Sequence, residues 1–190
     1  MRSVNPPDPQ LRDEVVALRP WRDADMPAKR AAFADPVVLR FSWPGVEPPT
    51  EAESWAQHAE HARAWEEGTA AEFACVEPHD DTAIIGGASV YDIEPGPRRA
   101  SIGYWVAAPA RRRGVATHAV RLLARWAFDE LGIVRLQITC GPDNLGSQRV
   151  AERAGFMREL TMRSHFRFKG GRRDTVVFSL LPGDALKTRT

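Results

Sequence analysis

The sequence is poor in the features that mark secreted, metal-binding and membrane proteins. It has two cysteines, Cys75 and Cys140, and each lies inside an apolar run without the spacing of a metal site. Such cysteines favour buried thiols in a reducing compartment over a disulfide. No apolar run approaches the length of a membrane span, and the N-terminus lacks the apolar segment of a signal peptide. We therefore expect a cytoplasmic protein without a metal and without membrane contact.

Net charge is also small, because 26 Lys and Arg residues are balanced by 25 Asp and Glu residues, which leaves a formal charge of +1. Such a chain has no overall field that attracts nucleic acid or an anionic membrane. Basic residues cluster only locally, at Arg111, Arg112 and Arg113 and in the segment 163–173, and no nucleic-acid motif accompanies them. The nucleotide-binding signatures G-x-G-x-x-G and G-x-x-x-x-G-K-[ST] are absent as well. Nucleic-acid binding is therefore the least favoured hypothesis, and no nucleic-acid partner is expected.

A chain of 190 residues is typical of a single domain with a sizeable core, and no internal repeat divides it. We expect this domain over residues 14–181, with flexible tails at 1–13 and 182–190. The apolar patterns predict seven strands, at 14–19, 71–76, 83–91, 98–106, 134–140, 157–168 and 173–181. They predict four helices, one that ends before Pro36 and others at about 50–68, 115–131 and 147–154. Proline-rich residues 35–49 are predicted to form a connection.

Two local patterns make sharper predictions. Thr50 and Glu53 form a capping box at the start of the second helix. This helix is expected to bury one apolar stripe, which consists of Trp55, Ala59, Ala62 and Trp65. Gly86 and Gly87 lie inside a predicted strand, where paired glycines indicate a bulge or a close approach of backbone.

The most informative stretch joins a strand, a short basic loop and an amphipathic helix. Residues 102–106 are apolar, and Pro109 ends the strand because proline has no donor for the ladder. Three arginines and Gly114 follow, and from Ala116 apolar residues recur at helical spacing. The loop thus lies at a helix N-terminus, where free backbone N–H groups and the helix dipole favour an anion. Because glycine also allows close backbone approach, the stretch predicts a diphosphate-binding loop.

This loop carries the pattern R-x-x-G-x-A at Arg111, Gly114 and Ala116, directly after a Gly-Tyr-Trp strand. About thirty residues later, a segment that begins at Asn144 has the form N-x-x-S and ends in Gly-Phe at Phe156. Together, the two blocks resemble the GNAT superfamily of N-acetyltransferases. The N-x-x-S form is similar to the branch that contains ribosomal-protein N-terminal acetyltransferases. With the closing hairpin, the resemblance covers roughly residues 14–181.

The resemblance implies a mixed α/β (α+β) fold with a mostly antiparallel sheet of about seven strands and about four flanking helices. Its two central strands, here 100–106 and 133–140, would run parallel and splay apart. The gap between them would hold the pantetheine arm of an acyl-CoA. An unpaired strand edge suits this ligand because it supplies both backbone donors and backbone acceptors.

Acetyl-CoA is therefore the implied co-substrate. The arm would pair with backbone near Trp105, the pyrophosphate would bind the loop, and Asn144 matches the family residue that bonds the arm. Arg149 and Arg153 could approach the adenosine. The residues implied to bind the cofactor are Trp105, Val106, Ala107, Arg111, Arg112, Arg113, Gly114, Val115, Ala116, Thr117, Asn144 and Ser147.

Acetyl transfer to an amine requires a deprotonated amine, a stabilised oxyanion and a proton for the departing thiolate. By resemblance, Ser147 protonates the departing sulfur, and the Val106 N–H is the candidate donor to the oxyanion. A backbone bond at the start of its helix is an equally compatible role for Ser147. Tyr104 points either into the site, as a candidate catalytic residue, or into the core.

The general base is left open by the sequence. Many relatives carry a glutamate just before the Ile-Gly-Tyr strand, where this chain has Ser101, and a serine does not act unaided as a base near neutral pH. His165 is one candidate catalytic residue, since the ordinary pKa of an imidazole suits this role. Glu159 and Asp92 are alternatives, and a chain of water molecules to bulk solvent is another.

We therefore expect an acetyl-CoA-dependent N-acetyltransferase that transfers the group directly in a ternary complex. Its acceptor would be a primary amine, namely a protein N-terminus, a lysine or a small amine such as a polyamine or an aminoglycoside. The missing glutamate supports one alternative, a non-catalytic acyl-CoA-binding regulatory module on the same fold. Dimers are common on this fold, so a homodimer is an open alternative, with Trp55 or Trp65 at the interface or in the core.

Overall fold

The computed structural model describes residue 7 and residues 10–185 of the chain. The strands are β1 (Ala17–Pro20), β2 (Ala71–Glu77), β3 (Asp80–Glu94), β4 (Arg99–Val106), β5 (Arg135–Cys140), β6 (Met157–Phe168) and β7 (Gly171–Leu180). The helices are α1 (Met26–Phe33), α2 (Pro36–Ser42), α3 (Glu51–Glu67), α4 (Val115–Asp129), α5 (Leu145–Arg153) and α6 (Pro182–Ala185). Single 3₁₀ turns lie at Asp23–Asp25 and Ala108–Ala110.

All seven strands form one sheet in the order β1-β2-β3-β4-β5-β7-β6. Every neighbouring pair is antiparallel except β4 and β5, which run parallel around the crossover helix α4. This parallel pairing is short, because it joins only Arg99–Ser101 to the residues opposite them. Beyond Ser101, β4 stays paired with β3 as far as Val106, while β5 stays paired with β7 as far as Cys140. The predicted mixed sheet with a splayed parallel pair is therefore confirmed.

The main core lies between the sheet and α4, whose apolar face is fully buried. Val120 and Leu123 have no exposed surface, and the Trp126 ring meets the Phe73 ring edge-on at 5.4 Å. Cys75 and Cys140 are both free and buried, as predicted. Burial raises the pKa of the Cys75 thiol, because an apolar surrounding disfavours the thiolate.

The predicted close contact at the paired glycines of β3 is confirmed. A Cβ at Gly86 would lie 2.5 Å from the backbone oxygen of Trp105, and a Cβ at Gly87 would lie 2.6 Å from the Trp105 indole nitrogen. Trp105 itself packs against Trp21, with ring centroids 6.2 Å apart, and against Phe33, with centroids 5.4 Å apart. Only glycine leaves room for this indole on the face of the sheet.

The prediction of a plain connection over residues 35–49 is wrong for its first half, which forms α2. Asp35 caps this helix, since its Oδ1 accepts hydrogen bonds from the backbone nitrogens of Val37 at 3.0 Å and Val38 at 3.1 Å. Pro36 occupies the first helical position, where a proline costs no hydrogen bond. The Asp-Pro pair was thus a helix start signal within a proline-rich stretch.

The capping box at α3 is confirmed, and the helix ends at Gly68 in the left-handed region with φ 72°. The predicted apolar stripe is wrong, because the Trp55 side chain is exposed and Ala59 and Ala62 face solvent as well. Trp65 does pack inward, with its ring centroid 4.9 Å from that of Phe73. The other positions of α3 that are at least half-buried are polar except for Ala64, and they include Ser54, Gln57, His58 and His61.

The N-terminal strand begins later than predicted. Asp13 accepts hydrogen bonds from the backbone nitrogens of Val15 and Val16, which bends the chain, and β1 starts only at Ala17. Within the predicted tail 1–13, Leu11 packs against the core and the Asp13 carboxylate bonds the His118 ring at 2.8 Å. Most of the remaining tail predictions fall on residues 1–6, 8–9 and 186–190, which lie outside the described residues. No helix in the described part of the chain is long and apolar enough to cross a membrane.

Candidate active site

The splayed strands open a cavity of about 860 Å³, which passes between β4 and β5 and continues under α1, α2 and α3. One end is lined by the starts of α4 and α5, including Gly114, Thr117 and Arg149. The other end is lined by Lys29, His61 and other residues beside the N-terminal helices. We name the region beside α4 and α5 the cofactor end and the region beside the N-terminal helices the acceptor end.

The edge of β4 that faces the cavity has unpaired peptide groups. In an antiparallel pair, the backbone groups of successive residues point alternately toward and away from the neighbouring strand. The Ala107 nitrogen donates to the Ile85 oxygen of β3 at 3.0 Å, so the peptide groups of Ile102, Tyr104 and Val106 point away from β3. The ladder to β5 ends at the Ser101–Gln137 pair, which uses the Ile102 N–H, so the Ile102 carbonyl, the Tyr104 peptide groups and the Val106 N–H face the open gap.

This geometry corrects two predicted backbone contacts and supports one. The peptide groups of Trp105, like those of Ala107, point toward β3, so Trp105 can line the cavity only through its other atoms. The Ala107 N–H is used inside the sheet, and Ala107 does not line the cavity. Trp105 and Val106 do line it, and the Val106 N–H points into the gap. The Val106 carbonyl oxygen, in turn, accepts a bond of 3.3 Å from Nε of Arg111.

The loop before α4 presents backbone donors to the cavity. Gly114 adopts φ 86° at the N-cap, and the first bond inside the helix runs from the His118 nitrogen to the Gly114 oxygen. The N–H groups of Val115, Ala116 and Thr117 therefore lack a partner within the helix. These three residues and Gly114, on which the prediction of an anion site rests, all line the cavity.

The arginine side chains of this loop are arranged differently from the prediction. Arg111 forms an ion pair with Asp35, and Arg113 forms one with Glu77 at 2.8 Å and does not line the cavity. Arg112 lines the cavity with φ 63° and has no ion pair within the described residues. One arginine of the three is thus free to meet a phosphate, since the other two charges are already neutralised.

Tyr104 and Ser147 meet at the mouth of the gap. The Tyr104 hydroxyl lies 2.9 Å from the Ser147 Oγ and donates to the Ser147 backbone oxygen at 3.1 Å. The Asn144 side-chain oxygen caps α5 by accepting from the Ser147 nitrogen at 3.1 Å. All three residues line the cavity, so Tyr104 points into the site. Burial raises the pKa of the Tyr104 hydroxyl, which stays protonated and can donate.

None of the predicted general bases lines the cavity. His165 lies on the exposed part of the β6–β7 hairpin, with Nδ1 3.2 Å from the Thr175 hydroxyl, so the structure does not bring it to the site. Glu159 is bonded to Arg135 at 2.6 Å, and Asp92 is also absent from the cavity lining.

The acceptor end contains a charged cluster that sequence reasoning missed. The Glu72 carboxylate lies 2.7 Å from Nδ1 of His61 and 3.5 Å from Nζ of Lys29. The Lys29 ammonium also sits 4.8 Å from the centre of the Trp21 ring, and the residue is buried. Burial alone would raise the pKa of Glu72, but contact with His61 and the charge of Lys29 outweigh it and lower the pKa. A carboxylate alternating with buried Ala71 and Phe73 on β2 was the available signal.

A second missed residue, Arg173, lines the cavity near the start of α5. Its guanidinium carbon lies 3.8 Å from the centre of the Phe168 ring and 4.9 Å from that of Phe166. No residue in the described ranges accepts a hydrogen bond from it, and its Nε is buried. Among the described residues, no group of three or more His, Cys, Asp or Glu side chains could hold a metal ion.

Comparison with known families decides the classification. Residues 16–157, well over half of the chain, match the family model of the acetyltransferase (GNAT) domain. The chain belongs to the GNAT family. The gap between β4 and β5 and the loop before α4 are thus parts of a GNAT fold.

Curated relatives from Bacillus subtilis (strain 168) match part of this GNAT chain. "Putative ribosomal N-acetyltransferase YdaF" is 36% identical over 101 residues, which are 53% of this chain and 55% of that protein. "Probable N-acetyltransferase YjcK" is 37% identical over 105 residues, which are 55% of this chain and 58% of that protein. The chain thus spans little more than half the length of these relatives.

A solved structure matches over a longer range. Mycobacterium smegmatis RimJ in complex with CoA-disulfide gives a TM-score of 0.80 at 24% identity, and the match covers 92% of this chain and 86% of that chain. At this identity the likeness concerns the fold.

Proposed function

We propose that this GNAT protein is an acetyl-CoA-dependent N-acetyltransferase that transfers the acetyl group directly to a primary amine. One observation carries the proposal: an unpaired strand edge, a helix N-terminus with free N–H groups and a tyrosine–serine pair line a single cavity. These parts suit the arm, the diphosphate and the leaving thiol of an acyl-CoA, respectively. Each of them lies on a different element, so the fold is needed to assemble them.

The cofactor would bind through the amide groups of its pantetheine arm and through its pyrophosphate. The amides of the pantetheine arm would pair with the Ile102 carbonyl and the Tyr104 peptide groups in the gap. The pyrophosphate would accept hydrogen bonds from the free N–H groups at the start of α4, with the Arg112 side chain adding a charge. Arg149 and Arg153, which line the same end, would approach the adenosine.

The transfer itself would need no covalent enzyme intermediate. The lone pair of the amine attacks the thioester carbonyl, and the Val106 N–H donates to the oxyanion that forms. As the carbon–sulfur bond breaks, Ser147 gives its proton to the departing thiolate and takes one from Tyr104 through their 2.9 Å contact. Tyr104 in turn regains a proton from water in the cavity. The proton of the amine passes to water in the cavity, because none of the predicted bases lines it.

The acceptor is proposed as a protein amine, and a protein N-terminus is the first choice. The name of the Bacillus relative, a ribosomal N-acetyltransferase, supports a protein acceptor. Cytoplasmic location and a homodimer remain part of this proposal as well. A non-catalytic acyl-CoA-binding module is the alternative, but it leaves the buried Tyr104–Ser147 pair without a purpose.

Two measurements test the proposal. Calorimetry with acetyl-CoA should give saturable binding, and release of free thiol should become faster when a peptide with a free N-terminus is added. Tight binding without faster thiol release, over peptides, lysine and polyamines, would favour the regulatory module. Absence of any binding would contradict the cofactor site itself.

A further inference from the structure

We propose that Arg173 binds a carboxylate of the acceptor, so that this protein selects acidic acceptors over polyamines. This inference rests on the proposed function, since it assigns the acceptor class of the same site. Its basis is the position of the side chain, its clamped geometry and the charge around it.

Arg173 lies at the point where acceptor and thioester would meet. The last pair between β5 and β7 joins Cys140 to Val176, so Arg173 extends past the end of β5. A Cβ at Gly141 would lie 3.5 Å from Nη1 of Arg173, which places the guanidinium beside the loop that leads into α5. Ser147 lies in the first turn of α5, so the guanidinium borders the proposed transfer site.

Two aromatic rings hold the guanidinium in place, but its hydrogen-bond donors remain unused within the described residues. The Phe168 ring lies 3.8 Å from its central carbon and the Phe166 ring 4.9 Å from it, which fixes the plane of the group. Within the described residues, none of its nitrogens donates a hydrogen bond and no carboxylate lies within ion-pair distance. A planar guanidinium that is already oriented suits bidentate binding of a carboxylate.

No carboxylate in the described part of the chain forms an ion pair with the positive charge of Arg173. Burial lowers its pKa from the usual value, because the charged form is desolvated. The nearby Asp143 carboxylate already binds Arg40 at 2.7 Å. The exposed face of the same hairpin adds further positive charge through Arg163, Arg167 and Arg172. An anionic acceptor is favoured by this field, whereas a polycation is repelled.

Two kinds of acceptor offer such a carboxylate. One is a polypeptide with an acidic side chain among its first three residues, and the other is a free amino acid, which carries its own carboxylate. The test compares a peptide with a free N-terminus and glutamate at position 2, the same peptide with glutamine there, and free glutamate. Spermidine serves as the polycation.

Binding is measured by calorimetry on the full chain loaded with CoA, so that the result does not require turnover. Arg173→Met should weaken binding of the glutamate peptide about ten- to hundredfold and bring it to the level of the glutamine peptide. The matched control is Arg172→Met, which removes the same charge from an exposed neighbour that does not line the cavity. Arg173→Lys should restore part of the affinity, and affinity for CoA should not change in any variant.

The outcomes separate the two proposals. Equal binding of the glutamate and glutamine peptides to the unmodified protein, or equal losses in Arg173→Met and Arg172→Met, would overturn the role of Arg173. Selective binding of free glutamate alone would keep that role and assign small amino acids as acceptors. If the glutamate peptide binds through Arg173 but no acetyl group is transferred, the inference stands and the proposed catalysis fails.

Discussion

Tyr104 and Ser147 are the residues to which the proposed mechanism assigns proton delivery to the thiolate. Their hydroxyls lie 2.9 Å apart, and Asn144 fixes the position of Ser147 by capping its backbone nitrogen. Because burial raises the pKa of Tyr104, the phenol keeps its proton and serves as a donor to Ser147. In the proposed reaction, the pair would form a short relay that ends at the sulfur.

Ser147→Ala should lower kcat about 10²- to 10⁴-fold, the range of a lost proton transfer, and should leave the affinity for acetyl-CoA nearly unchanged. Stopped-time assays of thiol release give kcat, and calorimetry gives the affinity. Tyr104→Phe is the companion variant, and it should show a smaller loss, because Ser147 can still draw a proton from water. Full activity in Ser147→Ala would remove the serine from the mechanism.

Gly114→Glu should abolish CoA binding, because it places a carboxylate where the diphosphate would meet the helix N-terminus. The residue has φ 86°, so any side chain there is strained, and the strain must be separated from the charge. Gly114→Ala provides this control, since it carries the strain without the charge. Calorimetry should show retained binding for the alanine variant, and binding by the glutamate variant would refute the anion site.

Single residues were predictable from the sequence where one local pattern holds them together. Gly114, Asn144 and Ser147 belong to blocks whose spacing is fixed by one strand, one loop and one helix. Glu72 and Arg173 were missed because they reach the cavity only when segments far apart in the sequence come together in the fold. His165 was misplaced for a related reason, since alternation along β6 does not say which part of a long hairpin reaches the cavity.

At the level of elements, Asp35 links the unexpected helix α2 to the basic loop. One carboxylate caps the first turn of α2 and also binds Arg111. The Arg111 guanidinium beside it holds the pKa of Asp35 below its usual range. The start of α2 is thereby tied to the residues that follow β4.

Asp35→Ala should reduce the free energy of unfolding by about 1–2 kcal/mol, because α2 loses its cap. Asp35→Asn retains a good cap and removes only the charge, so most of the stability should return. Urea denaturation of the two variants measures the difference. Equal losses would show that the ion pair with Arg111, and not the cap, holds the helix.

Helix α3 shows where periodicity misleads. Helical spacing places Trp55, Ala59, Ala62 and Trp65 on one predicted stripe. In the structure the helix turns polar residues toward the cavity, and of these four residues only Trp65 packs inward. The capping residues at both ends were predictable, because those signals are local. The face of α3 that is buried depends on where β2 and α1 lie. The sequence of α3 alone does not determine these positions.

The two tryptophans of α3 give a direct check of this orientation. Trp65→Ala should reduce the free energy of unfolding by about 3 kcal/mol or more, as expected for an aromatic residue packed on the core. Trp55→Ala should change it by about 1 kcal/mol or less, because 40% of the Trp55 surface is exposed and the residue lies outside the core. Thermal and urea denaturation report both values, and a large loss in Trp55→Ala would point to an oligomer interface.

For the whole molecule, one buried ion pair couples stability to pH. Arg19 bonds Asp25 at 2.7 and 2.9 Å, and both side chains are almost completely buried. Burial by itself would raise the pKa of Asp25, but the bonds from Arg19 outweigh it and lower the pKa. A carboxyl with a lowered pKa stabilises the fold above its unfolded pKa of about 3.9, and this stability is lost as pH falls through the folded value.

Asp25→Asn should therefore cost about 3 kcal/mol at pH 7, because it leaves the Arg19 charge buried without its partner. The difference from the unmodified protein should shrink as pH falls below about 4, because the carboxyl is then protonated in the unfolded chain, whereas Asp25 in the fold takes up its proton only at lower pH. Urea denaturation across pH 3 to 7 measures the two curves. A difference that stays constant with pH would exclude Asp25 as the titrating group.

The short pairing between β4 and β5 has one more consequence, which concerns self-association. A bare strand edge usually invites a strand from another molecule, and natural sheets hide such edges at their borders. Here the bare edge lies in the middle of a sheet, with β5 and α5 on its far side. A strand from another molecule could reach this edge only by entering the space between β4 and β5 inside the sheet. The fold thereby makes a hydrogen-bonding strand edge accessible from the cavity while keeping it away from the borders of the sheet, where strands of neighbouring copies would pair.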